Sequence, residues 1–164
     1  MAVAVDQLLY LLDEAFTGND WHSLLGNLRD ITDDEWCWTP PRGSRSLRDM
    51  VEHIGSCKIM YEDYAFGDAS LGWEDPVVTG GVALESVATA LAWLREAHER
   101  LRYRVSRLDD VDLDQRRLTN WGEQRETRWI IAVMIQHDLY HAGEINHLRA
   151  LYRGDDRWEH ERDA

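Results

Sequence analysis

The sequence predicts an all-α fold, a four-helix bundle with long crossover connections. Three observations lead there. Apolar residues recur at intervals of three and four in four long stretches, the mark of amphipathic helices. No stretch alternates apolar and polar residues as a half-buried strand would. The connections between the long stretches are long enough to cross a bundle, so up-down-up-down order is not required. With 164 residues, 44% of them hydrophobic, the chain suits a single domain over 1–164.

Leu8, Leu11, Leu12 and Ala15 form the stripe of a first helix. Trp21, Leu24, Leu25 and Leu28 form another whose centre lies well around the helix, so a break is expected at Thr17-Gly18-Asn19. Ile31 to Ser44, with Pro40, Pro41 and Gly43, reads as a connection. Ser46, with Asp49 three residues on, opens the second helix as a partial capping box. Leu47, Met50, Val51, Ile54 and Tyr61 mark its buried face, and His53 lies on the flank of that face.

Gly67 to Gly81 reads as a loop, with Trp73 expected to fold back onto the body. The third helix is predicted from Ala83 to Leu108, where Val87, Leu91, Leu94, His98, Leu101, Val105 and Leu108 form a seam. Asp109 to Glu126 is polar and expected to be irregular, with a turn at Asn120-Trp121-Gly122. The fourth helix starts near Thr127, and Gly154 stands where a glycine would stop it. Residues 155–164 are predicted to fray, with Trp158 the one side chain there suited to docking.

A net charge of −13 argues against nucleic acid or an anionic membrane as partner. All but one of the 18 basic residues are arginine, which reads as codon usage; the exception is Lys58. Cys37 and Cys57 form neither a CxxC nor a disulfide framework. The apolar N-terminus lacks a basic leader and carries Asp6, and no apolar run is long enough to span a membrane. The expectation is a soluble, cytoplasmic protein. Its eight tryptophans suit large apolar contacts, an aromatic-lined pocket or a homodimer interface.

The chemistry gathers in the last helix. Ile130, Val133, Met134, His137, His141, Glu144, Ile145, Leu148 and Tyr152 share one stripe. Side chains four apart are neighbours on a helix, so His137 and His141 can share one metal ion. Three neutral imidazoles with open positions form a recognised catalytic metal site. Spacing leaves both His53 and His98 open as the third ligand, and His98 also reads simply as a core histidine. His22 reads as a surface residue. Glu144, one turn past His141, can orient a ligand imidazole or pair with Arg48 or Arg149. Asp138 stands where a zincin has its general-base glutamate, but it points off the stripe, which argues against a metalloprotease. Glu144-Ile-Asn-His147 is a single Glu-x-x-His where a di-iron bundle needs two. There is no phosphate loop and no nucleophile elbow.

The pairing of SRSLRDMVEHI (Ser44 to Ile54) with IQHDLYHAGEINHLR (Ile135 to Arg149), and WHSLLGNLRDITDDEWCWTPP upstream, resembles the DinB-like superfamily. The resemblance covers the chain from helix one to Tyr152. It implies a four-helix bundle and one divalent metal held by three histidines, one early in the second helix and two four apart in the last. Carried over, these are His53, His137 and His141, which selects His53 over His98. It also implies thiol chemistry, since relatives include transferases and isomerases using mycothiol, bacillithiol or glutathione, a mycothiol-dependent maleylpyruvate isomerase among them. The expected cofactors are one divalent ion, zinc or nickel ahead of iron, and a low-molecular-weight thiol; the expected partner is a small-molecule substrate. The alternatives are a metal-dependent hydrolase and a non-catalytic metal- or ligand-binding stress protein.

Overall fold

The computed structural model describes residues 3–156. Helix α1 (Val3–Asp13) runs into a single π turn, Glu14–Gly18. The Asp110 carboxylate accepts hydrogen bonds from the Ala4 and Val5 amides at 3.0 Å each. An acid there answers donors that the first turn leaves unpaired. The predicted break falls at Gly18, and a short helix α2 (Leu24–Asn27) restarts under the Ser23 hydroxyl. On the first two stripes Leu11 and Trp21 lie outside, at 40% and 60% exposed, and Tyr152 at the end of the last stripe is 37% exposed. The π turn carries Ala15 and Phe16 into the core and leaves Leu11 out. Trp21 precedes the Ser23 cap, where a helical period has no meaning.

The segment predicted as a plain connection holds α3 (Asp33–Cys37), capped by Thr32 and burying Glu35 and Trp36. Helix α4 (Leu47–Phe66) opens on a complete capping box. The Asp49 amide donates to the Ser46 hydroxyl, and the Ser46 amide donates to the Asp49 carboxylate at 2.8 Å. Such a cap is worth about 1 kcal/mol. Beyond Gly67, the Asp63 carboxylate takes the Ser70 and Leu71 amides, and a helical turn α5 (Pro76–Thr79) buries Val78. Val78 and these bonds anchor the loop, and Trp73 is not folded back but 47% exposed.

The third long helix, α6 (Val87–Ser106), starts later than Ala83. Ser86 caps it by accepting from the Thr89 amide, and Gly81–Glu85 forms a 3-10 turn. The segment expected to be irregular contains a 3-10 turn, Asp110–Asp114, and a two-stranded antiparallel hairpin, β1 (Arg116–Leu118) with β2 (Gln124–Glu126). Strands of three residues are too short to display alternation in the sequence. The hairpin turn closes through Gly122 at φ +88°, a conformation that favours glycine. Helix α7 (Thr127–Arg153) follows, and Gly154 ends it in the left-handed region as predicted. Trp158 and most of the predicted fraying tail lie outside the described residues.

Helix α4 packs on α6 and α7, and α1 packs on the same two helices. The connections from α1 to α4 and from α6 to α7 therefore span the diagonals of the bundle. This is the long-crossover arrangement, and it puts α4 and α7 side by side. Among the described residues no helix is long and apolar enough to cross a membrane.

Candidate metal centre

Three imidazoles meet where α4 faces α7. The His137 Nε2 lies 3.2 Å from the His53 Nε2 and 3.1 Å from the His141 Nε2. The ring centroids form a compact triangle with sides of 5.1, 5.0 and 4.3 Å. Four-residue spacing on one helix stacks His137 and His141, and α4 supplies His53 from its exposed flank. The Glu144 carboxylate accepts the Nδ1 proton of His141 at 2.6 Å, which turns the Nε2 lone pair of that ring toward the other two. The alternative partner Arg149 is engaged elsewhere, donating to Glu35 and to the Asn27 carbonyl.

A neutral imidazole carries one N–H, and His137 is held neutral. Its pKa is pushed down to about 3 by burial first and by His141, His53 and Lys58 after it. With the His141 Nε2 proton-free, a single N–H can bond across one of the two contacts of the His137 Nε2, and the other contact is left without a hydrogen bond. A cation would satisfy all three. Ligand nitrogens about 2.1 Å from one tetrahedral zinc stand roughly 3.4 Å apart, close to the two contacts that the His137 Nε2 makes. The donor set therefore fits a divalent metal. His53 is also shifted down, by burial and then by His141 and Arg45, with Glu144 acting in the opposite direction.

The sulfur of Cys57 belongs to the same cluster and was missed by motif reading. It lies 3.8 Å from both ring nitrogens of His53, and donor atoms of His53, Cys57 and His137 all fall within 4.8 Å of one another, a group that could hold a metal ion. The signal was available, because His53 and Cys57 are four apart on α4 just as His137 and His141 are on α7. Burial pushes the Cys57 thiol up to about 11, so it is protonated at neutral pH in the absence of metal. An open cleft beside His53 is lined by Arg45, Asp49, Met50, His53 and His141, and Cys57 is not among its lining residues.

His98 stands apart from this cluster. It is 2% exposed and stacks flat on Phe16, with ring centroids 3.7 Å apart. Its Nδ1 is 3.5 Å from the Lys58 ammonium, which bonds to the Asp138 carboxylate at 2.6 Å. Asp138, placed off the buried stripe by its angle, is fully buried, and so is Lys58. The correction has a simple cause. Helix α7 packs against α1, α2 and α4, so its buried arc is wider than one stripe and includes Ile131, Asp138 and Ala142. His22 is exposed, beside Asn19, and His147 is exposed as well.

No curated protein matches the chain. A family model described as the DinB superfamily matches residues 18–145. That stretch contains His53, Cys57, His137, His141 and Glu144, and its helical bundle is the fold described above. The chain belongs to the DinB superfamily.

Proposed function

We propose that this chain binds one divalent metal through His53, His137 and His141 and uses it to activate a small-molecule thiol for transfer or isomerisation. The observation that carries the reading is the approach of the His137 Nε2 to the Nε2 atoms of both His53 and His141 beside an open cleft. A bound divalent ion would supply Lewis acidity, stabilising a thiolate at neutral pH. Three neutral imidazoles leave its charge uncompensated, so an anionic sulfur is a favourable further ligand. Glu144 holds the Nδ1 proton of His141 and fixes that ring, the usual role of a carboxylate behind a metal-binding histidine. Cys57 does not line the cleft and keeps its proton, which leaves the reacting sulfur to come from outside.

The test is a cobalt-substituted sample titrated with mycothiol, bacillithiol and glutathione. A sulfur-to-cobalt charge-transfer band is expected with at least one of them. It should persist in Cys37→Ser and Cys57→Ser and vanish in His137→Ala. Elemental analysis should give about one ion per chain, lost in His53→Ala, His137→Ala and His141→Ala and kept in His98→Ala and His147→Ala, because a three-ligand site has no spare. If no thiol perturbs the spectrum and ester or amide cleavage is found instead, the same site is that of a hydrolase.

A further inference from the structure

We propose that Arg45 is an anchor for a carboxylate carried by the small molecule that occupies the cleft in front of His53 and His141. This rests on the thiol-activating reading above and adds the substrate's charge to it. Arg45 lines that cleft together with both histidines. Among the described residues it makes no ion pair and no hydrogen bond, in a chain of net charge −13.

The acids nearby are committed to other partners. The Asp49 carboxylate, the other charged group of the cleft, closes the capping box on the Ser46 amide and hydroxyl, both at 2.8 Å. Glu144 is bound to His141 and also accepts from Tyr140. The guanidinium is nevertheless close enough to act on this site, since its charge works against protonation of His53 and favours ionisation of Tyr140.

An arginine at the mouth of a metal cleft, with its local carboxylates already taken, presents a planar fork of donors to an incoming anion. A carboxylate matches that fork in shape and charge. With sulfur at the three histidines and the carboxylate on Arg45, the molecule is held at two points, which fixes its orientation.

The test uses matched pairs of thiols on the cobalt-loaded full chain: 3-mercaptopropionate against 3-mercaptopropanol, and 6-mercaptohexanoate against 6-mercaptohexanol. Dissociation constants are read from the charge-transfer band at low ionic strength. In at least one pair the acid should bind about tenfold or more tightly than the alcohol, as expected for a charge-assisted contact. That preference should fall below about threefold in Arg45→Gln, return in part in Arg45→Lys, and weaken with added salt. A preference that survives unchanged in Arg45→Gln would mean that the carboxylate binds the metal itself, and the inference fails alone. Equal binding of acid and alcohol by the unmodified chain also overturns it alone. If none of the four thiols moves the spectrum, the thiol reading falls and this inference falls with it.

Discussion

Two polar clusters lie between α4 and α7, and they differ in what they lack. The inner one draws on all four long helices. Lys58 from α4 meets Asp138 from α7, His98 of α6 lies against the ammonium, and Phe16, from the π turn after α1, stacks on His98. The ammonium also sits 5.1 Å from the Phe16 ring centroid, a cation–π contact. Asp13 holds Arg102 in a two-pronged pair at 2.7 and 3.0 Å, closing the same layer from α1 to α6. Positive and negative charges are matched there. The outer cluster has three imidazoles, one thiol and one carboxylate, and its ring nitrogens face one another with too few protons to bond. The inner cluster pairs its charges among its own residues, although the buried Asp138 Oδ1 takes no hydrogen bond, whereas a cation would complete the outer one. That surplus of lone pairs, more than burial, separates a candidate site from a polar layer of the core.

The largest effect should come from breaking the inner pair on one side. Lys58→Ala leaves a fully buried carboxylate without its cation and should cost about 3–5 kcal/mol of stability. Replacing both partners, as Lys58→Met with Asp138→Leu, should recover most of that loss. His53→Ala, at an exposed position, should cost under about 1 kcal/mol in the metal-free chain. Urea unfolding of the three variants measures all of this. Equal losses for Lys58→Ala and His53→Ala would erase the distinction between the clusters.

A smaller effect sharpens the outer cluster. Glu144→Gln keeps the shape of the side chain and weakens the acceptor for the His141 Nδ1 proton. Metal affinity, measured by chelator competition, should fall by about 10- to 100-fold, with little change in metal-free unfolding. Unchanged affinity would make the 2.6 Å contact a helix-face pairing with no bearing on the metal.

The pH dependence tests the inner cluster again. Burial, then the charges of Lys58 and Arg102, push His98 down to about 2 from 6.5. Between those values the unfolded chain carries a proton there that the folded chain does not. This contribution to stability is whole above pH 6.5 and is lost as the pH falls toward 2, at up to about 1.4 kcal/mol per pH unit. His98→Gln should therefore flatten the stability slope of the metal-free chain between pH 6.5 and 5 by one proton. No flattening would mean that His98 is charged in the folded state.

The outer cluster was largely readable from sequence because its geometry is local. His137 and His141 share one helix face, and the family resemblance chose His53 to join them. The inner cluster was not readable, since its partners lie 40 and 80 residues from Lys58. Composition places a lone lysine among the surface cations. Asp138 lies roughly 60° round α7 from His141, and only the wider arc buried by three neighbouring elements brings it inside. The four long helices followed from their apolar period, and the caps at Ser46 and Gly154 from residue type. The hairpin at 116–126 and the exposure of Trp73 depend on loop closure, which leaves no period to read.

The smallest expected effect decides how the outer cluster is completed. Cys57 is near enough to be a ligand, but its thiol is held protonated up to about 11, and a metal would have to displace that proton inside a buried environment. Three histidines already suffice for an open site. Cys57→Ser should therefore change zinc affinity by less than about threefold, under roughly 0.7 kcal/mol, while His141→Ala abolishes tight binding. A loss of 100-fold or more in Cys57→Ser would reverse the picture. The ion would then be held by His53, Cys57 and His137 with His141 as a fourth ligand, a closed set with no position for an incoming thiol. Both clusters would then be structural, and the contrast between them would reduce to which cation each one holds.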